Sequence, residues 1–485
     1  MDYKVPFKYK QLSYDESLEA LNNVKRFGIS PMLETVEDML EEMGNPDLCF
    51  RSLQVAGTNG KTSTSRFTAA ILNQAGLKTA LYTSPHLVEY PERMEIGGKV
   101  VSYEQFAFAI SVALEAGERV NTRRKAQGET PYDVTVFDLI TTGAAALFAK
   151  EGVDACVFEC GLGARWDATS AIKSIEAVAI TGVGLDHTHI LGTTREAIAQ
   201  EKACAIKPGR SVVLGVGCAK PDSVEDIFLD TCKSCGITPV CIRPEHLQDC
   251  EGEIYGDEAP RTLEDVDITT FVIKRFPGRI GGALIVDVKT PKGDYQGIGA
   301  LKPGYQAANI ACAISLAENF MGEPIDTYIV DEAIVTCPVP GRFDVRRGGP
   351  LVLVDACHNP QSVEAFLVSV RRLEKDVQAR PALLCAILAD KDCKTMVEKL
   401  APEFPEVYIC QTKSSRCMAA HDLAELFEQV GVVPKKVYHS CEEAVEDLRD
   451  TNFVAAGSIT LAGEIAGLLT GKGQGRGHGI DMMNF

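Results

Sequence analysis

The chain has 485 residues, 45% of them hydrophobic and 24% charged, with a formal net charge of -18. That length exceeds what one hydrophobic core usually serves and predicts two domains. The composition and a mean hydropathy near zero exclude a disordered or fibrous chain. The acidic balance repels phosphate backbones and anionic lipid, so neither nucleic acid nor a membrane surface is an expected partner.

Residues 1–10 carry charges without an apolar run of signal-peptide type, and no stretch of about 18 apolar residues occurs. A cytoplasmic monomer is therefore expected. Seventeen cysteines lie mostly inside apolar segments such as Leu384-Cys385-Ala386, which reads as reduced core and not as a disulfide framework. Cys232-x-x-Cys235 has metal-pair spacing but no second pair nearby, so two cysteines near a helix end are expected ahead of a zinc site.

In chain order, the pattern predicts a strand over 53–55, a helix over 62–75 closed by Gly76, and a strand over 78–83, which together form a βαβ unit. A helix over 137–150 and strands over 153–159 and 177–183 extend this to a parallel α/β sheet. From 241 to 300 strand-like runs broken by Gly, Pro and Asp predict an antiparallel edge or insert. A helix over 306–319 follows, and then Pro338-Val-Pro-Gly341 reads as a linker. Beyond it come a strand over 351–355, a helix over 362–373, strands over 382–388 and 407–410, a helix over 422–430 and a strand over 453–456. These predict a second, smaller α/β domain. The domain division is thus 1–337, a linker at 338–341, and 342–470, with a glycine-rich tail over 471–485 expected to be disordered.

The strongest local signal is Val55-Ala-Gly-Thr-Asn-Gly-Lys-Thr-Ser63, between a predicted strand and helix. Gly57, Thr58, Asn59 and Gly60 let backbone N–H groups close around phosphate. Lys61 adds a point charge, and Thr62 or Ser63 offers a hydroxyl at the positive helix end. The strict P-loop pattern is not met, because its leading Gly would fall at Val55. Three other strands end in residues suited to magnesium or its waters: Ser84, Glu159 and His187. In an open parallel sheet such ends converge on one site.

Taken in order, these segments resemble the folylpolyglutamate synthase/dihydrofolate synthase branch of the Mur ligase superfamily. The resemblance is carried by Gly57-Thr-Asn-Gly-Lys-Thr-Ser63, Ser84-Pro-His-Leu87, Glu159-Cys-Gly-Leu-Gly-Ala-Arg165, Asp167-Ala-Thr-Ser170, Asp186-His187 and Glu201-Lys-Ala203. In the second domain it is carried by Pro340-Gly-Arg342, Asp355-Ala-Cys-His-Asn-Pro360 and Asp390-Lys-Asp392. It implies a P-loop ATPase domain built on a parallel sheet, followed by a smaller Rossmann-like α/β domain. It further implies ATP on residues 57–63, magnesium held by Ser84, Glu159 and His187, and Gln306 and Asn309 on the adenine side. Arg342 and Asp355 would complete the nucleotide site from the second domain. Lys202 matches a lysine that the family carries as a carbamate, His358 lies where the family places a residue near the transferred phosphate, and Phe137 and Asp167 match pterin-contacting segments. Thr62, Tyr305, Ala164 and Asp138 depart from the family's usual residues.

The chemistry implied is ADP-forming ligation of L-glutamate to folate, and also to dihydropteroate. A carboxylate oxygen is a poor leaving group, so ATP first converts it to an acyl phosphate, which an amine then attacks. The site must hold crowded anions, and each opposite unit-charge pair at about 4 Å is worth roughly 4 kcal/mol at an effective dielectric near 20. Two rivals stay open: a Mur-type ligase acting on a cell-wall precursor, and an ATP-hydrolysing switch that ligates nothing.

Overall fold

The computed structural model describes residues 3–24, 32–249 and 261–471; the predicted disordered tail lies, but for Gly471, outside them. Among the described residues the first sheet contains β1 (Arg51–Ala56), β2 (Thr79–Tyr82), β3 (Met94–Ile96), β4 (Lys99–Val100), β5 (Ala155–Glu159), β6 (Ile175–Gly182), β7 (Ser211–Gly217), β8 (Val240–Pro244), β9 (Asp267–Arg275), β10 (Leu284–Lys289) and β11 (Asp294–Ala300). Their order across the sheet is β11-β10-β9-β8-β7-β6-β1-β5-β2-β3-β4.

The middle of this sheet, from β2 to β9, is parallel. Its central strands β1, β5, β6 and β7 are buried along nearly their whole length because both faces are covered. Side chains alternate between two cores. Leu53 and Val157 point to a core shared with the helices Lys61–Gln74 and Gln306–Met321, while Phe158 and Val178 point to one shared with Tyr103–Ala126 and Val136–Lys150. The antiparallel expectation for 241–300 needs one correction. β8 pairs in parallel with both neighbours, and only β9 to β11 form the antiparallel part. An apolar run reads alike in either direction, so the sequence does not separate the two.

The second sheet contains β12 (Asp344–Gly348), β13 (Leu351–Asp355), β14 (Ala382–Cys385), β15 (Val407–Cys410), β16 (Lys436–Tyr438) and β17 (Phe453–Ala456), ordered β12-β13-β17-β14-β15-β16. All its pairings are parallel except β12 with β13. The strand expected over 382–388 stops at Cys385, beyond which Leu388 makes only an isolated bridge to Cys417. The segment 338–341 is a well-fixed turn. Gly341 N donates to Asp344 Oδ2 at 2.8 Å, Ala356 N donates to Gly341 O at 2.8 Å, and Leu87 of the first unit packs into the second unit's core. Among the described residues no helix is long and apolar enough to cross a membrane.

Candidate functional site

The site starts at the end of β1. Residues 57–60 turn the chain into the helix Lys61–Gln74, with Gly57 at φ 148° and Gly60 at φ 86°. A side chain is excluded at both. A Cβ on Gly57 would sit 1.9 Å from Thr181 Oγ1, and one on Gly60 would sit 2.5 Å from Asn309 Oδ1. Thr181 Oγ1 donates to Asn59 O at 2.6 Å and ties the loop to β6. Lys61 Nζ folds back to donate to Gly57 O and Thr58 O, both at 3.1 Å. The result is a loop of backbone N–H groups at a helix start with an ammonium beside it, an arrangement suited to phosphate.

β5 and β2 lie on one side of β1 and β6 on the other, so the ends of four strands gather at this loop. Glu159, at the end of β5, accepts from Thr62 Oγ1 at 2.8 Å and from Ser84 N at 3.4 Å. Burial raises its carboxyl, and the Lys61 charge with these two donors offsets part of that rise. Ser84 Oγ is buried without a hydrogen-bond partner. His187 takes a left-handed φ of 49°, and burial lowers its imidazole to about 3 even though Asp186 pulls the other way, so the ring is neutral near pH 7. Lys202 is 3% exposed and donates to Gly57 O at 2.8 Å. Burial, reinforced by Lys61, lowers its ammonium to about 7.

Among the described residues no three His, Cys, Asp or Glu side chains gather as a metal cluster. Ser84, Glu159 and His187 form a sparser set: an orphaned hydroxyl, a buried carboxylate that a cation would relieve, and a neutral imidazole. Such a set fits magnesium, which keeps waters and takes further oxygens from phosphate, better than an ion that needs an all-protein cage.

The opposite wall comes from the second sheet. Asp355, at the end of β13, accepts from Phe343 N at 2.8 Å, Cys357 N at 2.9 Å and Tyr305 Oη at 3.4 Å. Burial raises its carboxyl, and Arg342 is the first influence to oppose it. His358 stands between Ala356 O, 2.9 Å from Nδ1, and Asp186 Oδ2, 3.4 Å from Nε2. Asp186 also receives Lys391 Nζ at 2.5 Å and Asn359 Nδ2 at 3.2 Å. Although burial pushes Asp186 upward, His358, Lys391 and His187 outweigh it and hold the carboxyl far below the usual range. Asn59 meets Asn359 and Gln361 across the same gap, donating to Gln361 Oε1 at 3.1 Å.

The structure therefore gathers Gly57, Thr58, Asn59, Gly60, Lys61, Thr62, Ser63, Ser84, Glu159, His187, Lys202, Arg342 and His358 around one cleft. Asn309 and Asp355 line its continuation. Gln306 is fully buried and donates to Ser63 Oγ at 3.1 Å, supporting the loop from behind and not facing the cleft. Phe137 is half-buried 6.1 Å from Tyr82. Asp167 serves the local fold. It is buried, and it accepts from Leu162 N at 2.8 Å, Thr169 N at 3.0 Å and Thr169 Oγ1 at 2.5 Å, so its oxygens already close the 161–169 loop. The roles of Asp186, Lys391, Asn359 and Gln361 across the gap were missed from sequence. The motifs containing the first three stand in the chain, but a pairing over 205 residues leaves no local pattern.

The Mur ligase middle domain model matches residues 55–208, and the model of the Mur ligase glutamate ligase domain matches 341–463, together more than half of the chain. The probable bifunctional folylpolyglutamate synthase/dihydropteroate synthase of Halobacterium salinarum is 30% identical over 464 residues, covering 93% of this chain and 51% of that protein. A Haloferax volcanii relative of the same name is covered to 45%, so the chain spans about half the length of these two. The dihydrofolate synthase/folylpolyglutamate synthase of Bacillus subtilis is 28% identical over 424 residues, covering 86% of this chain and 89% of that one. The Mycobacterium tuberculosis folylpolyglutamate synthase, solved with ADP and AMPPCP, superposes with a TM-score of 0.79 at 25% identity, covering 96% of this chain and 99% of that chain. Joined to the site's geometry, these likenesses establish that the chain belongs to the Mur ligase superfamily, in its folylpolyglutamate synthase/dihydrofolate synthase branch.

Proposed function

We propose that this protein is an ATP-dependent, ADP-forming amide ligase that joins L-glutamate to a folate carboxylate and to dihydropteroate through an acyl phosphate. The observation that carries the reading is the cleft itself. A phosphate loop flanked by two lysines faces a wall from a second sheet, which supports a junction where triphosphate and acceptor carboxylate would meet. In the first step a carboxylate oxygen attacks the terminal phosphorus and ADP leaves. In the second the glutamate nitrogen attacks the acyl carbon, loses a proton, and phosphate leaves.

In this reading Gly57, Thr58, Asn59, Gly60, Thr62 and Ser63 hold the phosphates, and Lys61 offsets their charge. Asn309, Arg342 and Asp355 hold the nucleoside side, with Gln306 supporting the loop. Ser84, Glu159 and His187 would hold magnesium or its waters, and that ion would neutralise charge on the phosphates. His358 lies near the transferred group, and Phe137 flanks the pterin. A Lys202 ammonium lowered to about 7 leaves free amine at neutral pH, the form that carbamylation requires, and the carbamate would turn a cation into an anion beside the metal. The second unit covers the phosphate loop, and that cover would exclude water, which would otherwise hydrolyse the acyl phosphate. The reading includes a monomer working in a reducing, ATP-rich cytoplasm, which suits described cysteines that are free thiols.

The test is ADP release measured with folate, dihydropteroate and L-glutamate added singly and together. The ligase should need glutamate plus one of the two carboxylic acids. ADP release with none of them present would make the protein a hydrolysing switch. Ligation only to a cell-wall precursor would move it to another Mur branch.

A further inference from the structure

The cleft does not end at the phosphate loop. Beyond Gly60 and Ser63 it continues with about 140 Å3 of open interior between the helices Gln306–Met321 and Pro360–Leu373. Val216, Ala308, Cys312 and Ala365 give part of its surface an apolar or small character, and polar side chains, Asp249 among them, line the rest. The sheet gives this extension a direction. The phosphate loop follows β1, Thr181 lies on β6, Val216 lies on β7, and Asp249 follows β8, so the lining residues step across four adjacent strands. Three strand spacings are roughly 14 Å, a reach that suits the ribose and base of a nucleotide whose phosphates lie on the loop.

Asp249 is the unexplained group in this extension. It is 3% exposed, yet among the described residues its Oδ2 has no hydrogen-bond partner. Its backbone is fixed by donation to His246 O at 2.9 Å. Burial raises its carboxyl, and the Ile273 N–H and the neighbouring His246 offset only part of that rise. A buried acceptor left unpaired costs stability, so one that lines a ligand-sized slot points to a donor carried by the ligand. Of the other polar groups lining the slot, Asn309 already donates to Gln306 Oε1 at 2.9 Å and packs against Gly60, and Asp355 accepts from Phe343 N and Cys357 N.

We propose that Asp249 reads the base of the bound nucleotide, its free Oδ2 accepting an N–H from the 6-amino group of a purine. The proposal rests on the ATP-dependent reading above. A 6-oxo purine would place a carbonyl oxygen against the carboxylate, acceptor against acceptor, and would be rejected. No bond is made or broken, so the effect is on nucleotide affinity and choice alone.

Calorimetric titration of the full chain with ATP, inosine triphosphate and purine riboside triphosphate tests this, because purine riboside triphosphate lacks only the 6-amino group and inosine triphosphate replaces it with a 6-oxo group and a proton on N1. The native protein should bind ATP about ten- to a hundredfold more tightly than either analogue. Asp249→Asn is nearly isosteric, and its amide can donate to a 6-oxo group, so the preference for ATP over inosine triphosphate should collapse or invert. Equal affinity of the native protein for all three nucleotides would overturn the proposal without any variant. An unchanged ATP preference in Asp249→Asn would overturn it too, while leaving ATP-dependent ligation standing. No nucleotide binding at all would sink both readings.

Discussion

The two halves of the cleft treat charge in opposite ways. On the first sheet, Lys61 and Lys202 donate to backbone carbonyls of the loop, and among the described residues neither forms an ion pair. On the second, Lys391 forms an ion pair with Asp186, which is itself carried by the first sheet's side, and His358 Nε2 stands 3.4 Å from the same carboxylate. Unmatched buried positive charge is unfavourable in the empty protein and marks where anions are to be received. Matched charge across the gap acts as a latch, fixing how the halves meet without asking for a ligand. Arg372 over Phe276, at 3.5 Å, and the Asn59–Asn359 pair add contacts of the same latching kind.

The largest expected effect comes from removing an unmatched charge. Lys61→Ala should lower ligation about a hundred- to thousandfold with the circular dichroism spectrum unchanged, because Lys61 belongs to a loop edge and not to a core. Near-normal turnover would remove it from the mechanism. Lys202→Ala should also lose activity, but added short carboxylic acids should restore part of it, and the same acids should do nothing for Lys61→Ala. Equal rescue of both, or of neither, would break the distinction between a phosphate-holding lysine and one that works as a carbamate.

A smaller effect separates support from contact. Asp167→Ala deletes an acceptor of three internal hydrogen bonds and should cost about 1–3 kcal/mol in chemical denaturation. Its rates with dihydropteroate and folate should fall in parallel. A loss confined to dihydropteroate would show that Asp167 meets the substrate after all.

Much of the first half was legible in sequence because its chemistry is local. Glycines 57 and 60, Lys61 and the hydroxyls share one nine-residue stretch, and Glu159 stands directly at its strand end. The strands over 407–410 and 453–456 match their predicted bounds, since short apolar runs in a buried parallel sheet are distinctive. The rest was less legible. β12 and β16 are edge strands with mixed burial, and β8 does not betray its direction. Asp249 sits in no motif, and its meaning arises only from the absence of a partner in three dimensions. The Asp186–Lys391 pair is a tertiary contact between two units, which periodicity cannot register.

The central claim is that the two halves meet to make and trap an acyl phosphate, and oxygen transfer tests it most directly. Folate labelled with heavy oxygen in the reacting carboxylate would be ligated to L-glutamate, and the inorganic phosphate released would be analysed by mass spectrometry. If the carboxylate attacks phosphorus, one labelled oxygen should pass to phosphate for each amide formed. Amide formation with unlabelled phosphate would contradict the account.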